Sequence, residues 1–172
     1  ARPERPSHQL QPQPRSVRVA HRPRAAGLHR HAECVGDGLP AYVASLREQA
    51  RTLALQQLVT FAGRVPNERI GEWLAQADAG LAHFRPEPYR RYAFPLKVVE
   101  YMAAGLAVIG TRDTETEDIL RRHGNGLGVE FDRRAIAAAI VRLAREPELL
   151  AKYRAQSRLA TREYQWPALA AR

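Results

Sequence analysis

Lys97 and Glu100 stand three residues apart in the stretch PLKVVEYMAAG (residues 95–105), which opens on proline and closes on glycine. Proline fits the first turn of a helix, where its missing N–H has no partner to lose, and glycine suits the position after the last turn. The stretch therefore predicts a helix with Lys97 in its first turn and Glu100 on the same face, one turn deeper. A helix N-terminus offers unpaired N–H groups and a partial positive charge, and both suit a phosphate. Lys97 adds a full charge there. Arg85, Arg90 and Arg91 precede it on the loop HFRPEPYRRYAFPLK. A carboxylate at Glu100 can accept both hydroxyls of a ribose. The set reads as a cradle for a nucleoside diphosphate. From spacing alone it reads equally well as an i,i+3 surface pair worth about 0.3 kcal/mol.

Two further segments carry glycine where a strand would end. VGDG places Gly36 and Gly38 after a short apolar run, and FAGRVPNE places Gly63, Arg64 and Val65 after another. Such turns close many strands, so neither specifies a ligand alone. His83 reads as a packed or solvated histidine, Trp73 and Trp166 as core anchors, and Arg121–Arg122 as a solvated helix end. No Asp/His cluster has ligand spacing, so no metal is expected, and no cofactor beyond a nucleotide-sugar substrate.

These positions need a scaffold, and the apolar pattern supplies one. LVTFAG, AGLAHF, LAVIGT and LGVEF are short continuous apolar runs. Between them lie helical patterns: Val43, Leu46, Ala50 and Leu53; Ile70, Trp73, Leu74 and Ala77; the Pro95–Gly105 stretch; TEDILRRHGNG; and Ile136, Ala139, Ile140 and Leu143 behind an expected N-cap at Asp132. A last helix is expected over residues 147–164. Continuous apolar strands alternating with helices mean a parallel sheet covered on both faces, a doubly wound α/β domain. In such sheets ligands bind beyond the carboxyl ends of the strands, where the loops above lie.

The chain has 172 residues, 45% of them hydrophobic, which suffices for one core but not for two full α/β domains. One cysteine, Cys34, excludes an internal disulfide. No run reaches the roughly 20 apolar residues of a membrane span, and no signal-peptide core is present, so a cytoplasmic location is expected. The net charge of +9 is concentrated at one end: residues 1–32 hold seven arginines and one acid. Pro3, Pro6, Pro12, Pro14 and Pro23 interrupt that segment, which is expected to be disordered and to precede a domain over residues 33–172. It fits either a basic arm or an out-of-frame reading of GC-rich DNA, which translation of the upstream DNA in the other frames would distinguish. The arm holds no aromatic residue to stack on bases, so nucleic acid is not the expected partner.

From VGDGLP through LVTFAGRVPNERIGEWLAQADAGLAHF, FPLKVVEYMAAGLAVIGT and NGLGVEF to QWPALA, residues 33–170 resemble the group 1 (retaining) GT-B glycosyltransferases. The resemblance implies the nucleotide-sugar-binding C-terminal domain of a two-domain enzyme, incomplete at its start. It also implies Glu100 on the donor ribose, Gly63–Val65 against the base, and the N–H groups of Phe94, Leu96 and Lys97 at the distal phosphate or sugar. Tyr92 stands where the family carries the first acid of its E-x7-E pair, and Pro95 where glycine is common. The family's diphosphate-binding Arg and Lys, and its N-terminal domain, have no counterpart in residues 1–32. The missing domain is expected on another chain if anywhere. Association with the inner membrane face is a further implication, and a nucleotide-sugar epimerase, which shares the architecture, is the neighbouring enzymatic alternative.

Overall fold

The computed structural model describes residues 16–23 and 28–164. Six strands form one sheet: β1 (Ser16–Pro23), β2 (Leu28–Val35), β3 (Val59–Gly63), β4 (Ala79–Ala82), β5 (Ala107–Thr111) and β6 (Gly126–Val129). Their order across the sheet is β3-β2-β1-β4-β5-β6. The pairs β2–β3, β4–β5 and β5–β6 are parallel. Strand β1 is antiparallel to both of its neighbours, β2 and β4. Five strands therefore share one direction and end on one edge, as a doubly wound fold requires.

Helices alternate with these strands as expected. They are α1 (Pro40–Thr52), α2 (Ile70–Leu74), α3 (Leu96–Ala103), α4 (Glu115–His123), α5 (Arg133–Arg145) and α6 (Pro147–Ala160). Successive strand side chains point to opposite faces, and two cores result. Ala82 and Val108 pack under Val98, Tyr101 and Met102 of α3 and Ile119 and Leu120 of α4. Ala79, Leu81, Ala107 and Ile109 pack under Ala139 and Leu143 of α5, with Leu149, Leu150 and Tyr153 of α6 beside them. Asp132 caps α5, its carboxylate accepting from the N–H groups of Arg134 (2.8 Å) and Ala135 (2.9 Å).

The structure departs from expectation at its leading edge. From the sequence, residues 16–23 and 28–32 are expected to precede the folded domain. Instead β1 and β2 form an antiparallel hairpin with eight residue pairs, from Ser16 opposite Val35 to Pro23 opposite Leu28. The physical reason is local. SVRVA alternates a β-branched residue with another type at period two, and its flanking prolines, Pro14 and Pro23, bound the run rather than interrupt it. The expected disorder of residues 1–15 and the anchor role of Trp166 lie outside the described residues.

Candidate functional site

Strands β2 to β6 deliver their following loops to one edge, but β1 does not. It meets this edge with its amino end, since Ser16 lies opposite Val35. Its last residue, Pro23, lies opposite Leu28 at the other edge, and the four residues of sequence between them are too few for the crossover helix that joins parallel strands. The carboxyl edge is therefore split in two by a strand whose own carboxyl end lies at the opposite edge.

On the β2–β3 side, the structure brings Gly36, Gly38 and Gly63 together. The Gly36 N–H donates to the Gly63 carbonyl at 2.8 Å. Gly36 (φ 130°) and Gly63 (φ 69°) hold backbone conformations that suit glycine. With Cys34, Tyr42 and Phe61 they line a cleft of about 370 Å³ between α1 and the sheet. The side chain of Arg47 closes one wall, lying 5.1 Å from the Phe61 ring centroid and donating to the Phe61 carbonyl. Burial pushes the Cys34 thiol above its usual range, so it stays protonated. Arg64 is exposed and Val65 half-buried just beyond Gly63, outside the residues lining the cleft.

On the β4–β6 side lie Phe94, Leu96, Lys97 and Glu100. Pro95 is buried at the head of α3, while Glu100 is exposed one turn along. One expected contact is already used. The Leu96 N–H donates to the Phe94 carbonyl at 3.1 Å, a tight turn imposed as the chain enters the helix past Pro95. The Lys97 ammonium lies 5.9 Å from the Phe84 ring centroid. The Phe84 N–H donates to the Thr111 hydroxyl at 3.0 Å, and the Thr114 hydroxyl donates to the Thr111 carbonyl at 2.7 Å. The end of β4 is thereby tied to the end of β5.

Phe131, just past β6, completes this side. The His83 imidazole stacks on it with centroids 6.5 Å apart and planes 14° from parallel. The Arg85 guanidinium lies over the same ring at 5.5 Å. Thr111 and Phe131 escaped the sequence reading, although each closes an apolar run and so stands at a strand end. His83, read as packed or solvated, is half-buried.

Burial, and then the positive charge of Lys97, hold His83 below the ordinary histidine value. His123 is also lowered, by burial first and by Arg122, with Glu163 opposing. A histidine whose pKa falls on folding stays neutral in the native state, and protonation favours the unfolded chain. Its full contribution is therefore present above the unfolded value near 6.5 and is lost as pH drops from there to the folded value. Thermal melts should show a falling Tm below about pH 6.5, flattened in His83→Gln. A Tm that rises on acidification over this range would contradict the assignment.

Two faces of helices over a mostly parallel sheet, with the informative loops gathered at its carboxyl edge, define a Rossmann-like domain of the GT-B kind. Residues 17–146 match the family model described as Glycosyl transferases group 1, and the chain belongs to that family. The match begins within β1, ahead of residue 33. No curated protein matches the chain. Among solved structures, sucrose-phosphate synthase (tll1590) from Thermosynechococcus elongatus is similar at 24% identity and TM-score 0.67, covering 81% of this chain and 35% of its own. Anabaena Alr3699/HepE, solved in complex with UDP-glucose, is similar at 21% identity and TM-score 0.65, covering 80% and 37%. The C-terminal domain of LpcC, a group 1 family protein from Francisella tularensis, is similar at 20% identity and TM-score 0.61, covering 74% and 64%. The chain thus spans about a third of the length of the full-length relatives. Among the described residues no helix is long and apolar enough to cross a membrane, and no group of three potential ligands is placed to hold a metal ion.

Proposed function

We propose that this chain is a glycosyltransferase domain that binds a nucleotide-diphosphate sugar donor for transfer with retention of configuration. The observation that carries the reading is the common edge shared by the glycine-lined cleft and the Lys97 helix N-terminus. A base in the first region and a diphosphate at the second would be bridged by a ribose within reach of Glu100. The cleft holds apolar walls (Val43, Leu46, Phe61) suited to a base, and α3 directs its positive end at the phosphates. Catalysis in this reading is electrostatic, with positive groups stabilising the departing diphosphate as positive charge develops on the sugar.

The chain alone is proposed to be inactive in transfer, since the strand that arrives reversed leaves the edge without a β1 loop. The same feature favours the second reading, a nucleotide-sugar-binding module that works with a partner chain. Detecting sugar transfer by the purified chain would refute the inactivity.

Calorimetric titration with UDP, GDP and ADP tests the donor reading. One nucleotide should bind, and Glu100→Ala should weaken it roughly tenfold, the scale of a lost hydrogen bond to a charged group. A folded chain that binds none of the three would remove the reading.

A further inference from the structure

We propose that Arg85 and Lys97, each mounted on an aromatic ring, form the paired positive charge that neutralises the donor's diphosphate. The proposal rests on the donor reading above and adds to it a second cation, two rings and the strand that supplies one of them.

The starting point is a deficit. A diphosphate carries two to three negative charges, and binding it at a carboxyl edge needs more than one cation. In this sheet the central strand reaches the edge by its amino end, so the loop that would follow a parallel central strand is absent from it. Two cations stand at this edge on neighbouring elements, Arg85 just after β4 and Lys97 in the first turn of α3. Residues 83–85 leave the strand in sequence and are pinned by the Phe84 N–H bond to Thr111. Phe84 sits beneath the Lys97 ammonium. The residues on either side of it, His83 and Arg85, both engage the ring of Phe131 from the end of β6. One contiguous cluster therefore runs Lys97, Phe84, His83, Phe131, Arg85.

The chemistry of the mounting matters. An aromatic face attracts a cation without neutralising it. A guanidinium over a ring still presents its N–H edge in its own plane, the edge that pairs with phosphate oxygens. Arg85 is exposed, and among the described residues it has no ion pair, its guanidinium lying over the Phe131 ring. His83 is the third member. Its buried Nδ1 has no hydrogen-bond partner among the described residues, and the Lys97 charge acts on its ring. It is a neutral spacer that adds no charge of its own and lies where an arriving anion would act on it.

The test uses the full chain with inorganic pyrophosphate and with UDP, GDP and ADP, each beside its own nucleoside. Arg85→Gln and Lys97→Gln should each weaken the bound nucleoside diphosphate and pyrophosphate about tenfold, and the double variant about a hundredfold. Nucleoside binding should not change, and each variant should flatten the salt dependence of diphosphate affinity. Arg85→Lys should recover only part of the loss, since it restores the charge but not the guanidinium's paired N–H edge. The His83 imidazole, followed by NMR, should titrate at higher pH once the diphosphate is bound. A merely structural Arg85 would move neither the diphosphate-to-nucleoside ratio nor that titration. If Arg85→Gln binds diphosphate like the parent while Lys97→Gln does not, the pairing is overturned and the donor reading stands. If the folded parent binds neither pyrophosphate nor any nucleoside diphosphate, both fall together.

Discussion

Gly126→Ala is expected to give a chain that does not fold. Gly126 is the first residue of β6 and pairs with Val108 of the buried strand β5. A Cβ at this position would lie 1.9 Å from the Val108 carbonyl oxygen and 2.8 Å from its carbonyl carbon. Those are backbone atoms of a strand paired on both sides, so neither a rotamer change nor a small shift relieves the contact. Leu120 of α4 closes a third direction at 3.0 Å. The cost of overpacking at such a site exceeds the 1–3 kcal/mol typical of added methylenes in cores and reaches the exceptional range above about 4 kcal/mol. That is a large share of the roughly 5–15 kcal/mol that holds an ordinary domain folded. Circular dichroism and urea titration read the outcome. Gly71→Ala in α2, whose Cβ would meet nothing within 4 Å, is the control and should be neutral or up to about 1 kcal/mol more stable. A Gly126→Ala protein melting within a few degrees of the parent would show that the start of β6 is not held as described.

The neighbouring residue gives the second large effect, through charge rather than volume. Asn125 is fully buried, and its Nδ2 donates to the Ser157 hydroxyl at 3.2 Å. That hydroxyl in turn donates to the Leu106 carbonyl at 2.6 Å, so its one hydrogen is committed. Asn125 Oδ1 has no hydrogen-bond partner among the described residues. In Asn125→Asp the group facing Ser157 becomes an acceptor facing an acceptor, and a charge is buried without compensation. The expected loss at neutral pH is about 3–5 kcal/mol. The new carboxyl should carry a raised pKa, because burial disfavours its charged form. Stability should therefore recover as pH falls and the group is neutralised, opposite in sign to the histidine effect. Urea denaturation at pH 7.5 and at pH 5 separates the two. Equal losses at both would mean that packing, not charge, carries the penalty.

Local rules account for what was legible in the sequence. Asp132 announces α5 because a carboxylate before a helical pattern satisfies the first free N–H groups, and it does so here with two. Gly124 closes α4 in a left-handed conformation (φ 60°), the usual role of glycine at that place. Apolar runs such as LAVIGT give buried strands since both faces of the sheet are covered. What was not legible depends on partners far away in the chain. Whether β1 runs with or against its neighbours is decided by its pairing with β2 and β4, the latter some 60 residues on, as in Val19 opposite Ala79.

The site divides along the same line. Gly36, Gly38, Gly63 and Lys97 stand out because turn chemistry and helix starts are local. Thr111 and Phe131 matter through contacts to Phe84 and His83, 27 and 48 residues away, which no local pattern encodes. The Leu96 amide shows a subtler dependence: the sequence marks the helix start, while the backbone at Pro95 sets the amide's bond to the Phe94 carbonyl.

The reversed central strand also sets where a covalent neighbour would sit. β1 enters the sheet at Ser16 on the carboxyl edge, the edge that also carries the glycine cleft and Lys97. A parallel strand in this slot would bring its predecessor in at the opposite edge, a strand length away. A sugar-acceptor module joined there by a short flexible linker would experience an effective concentration in the millimolar range beside Lys97 and the glycine cleft. Strand polarity thus puts the amino end of β1, not its carboxyl end, on the edge that carries Lys97 and the glycine cleft.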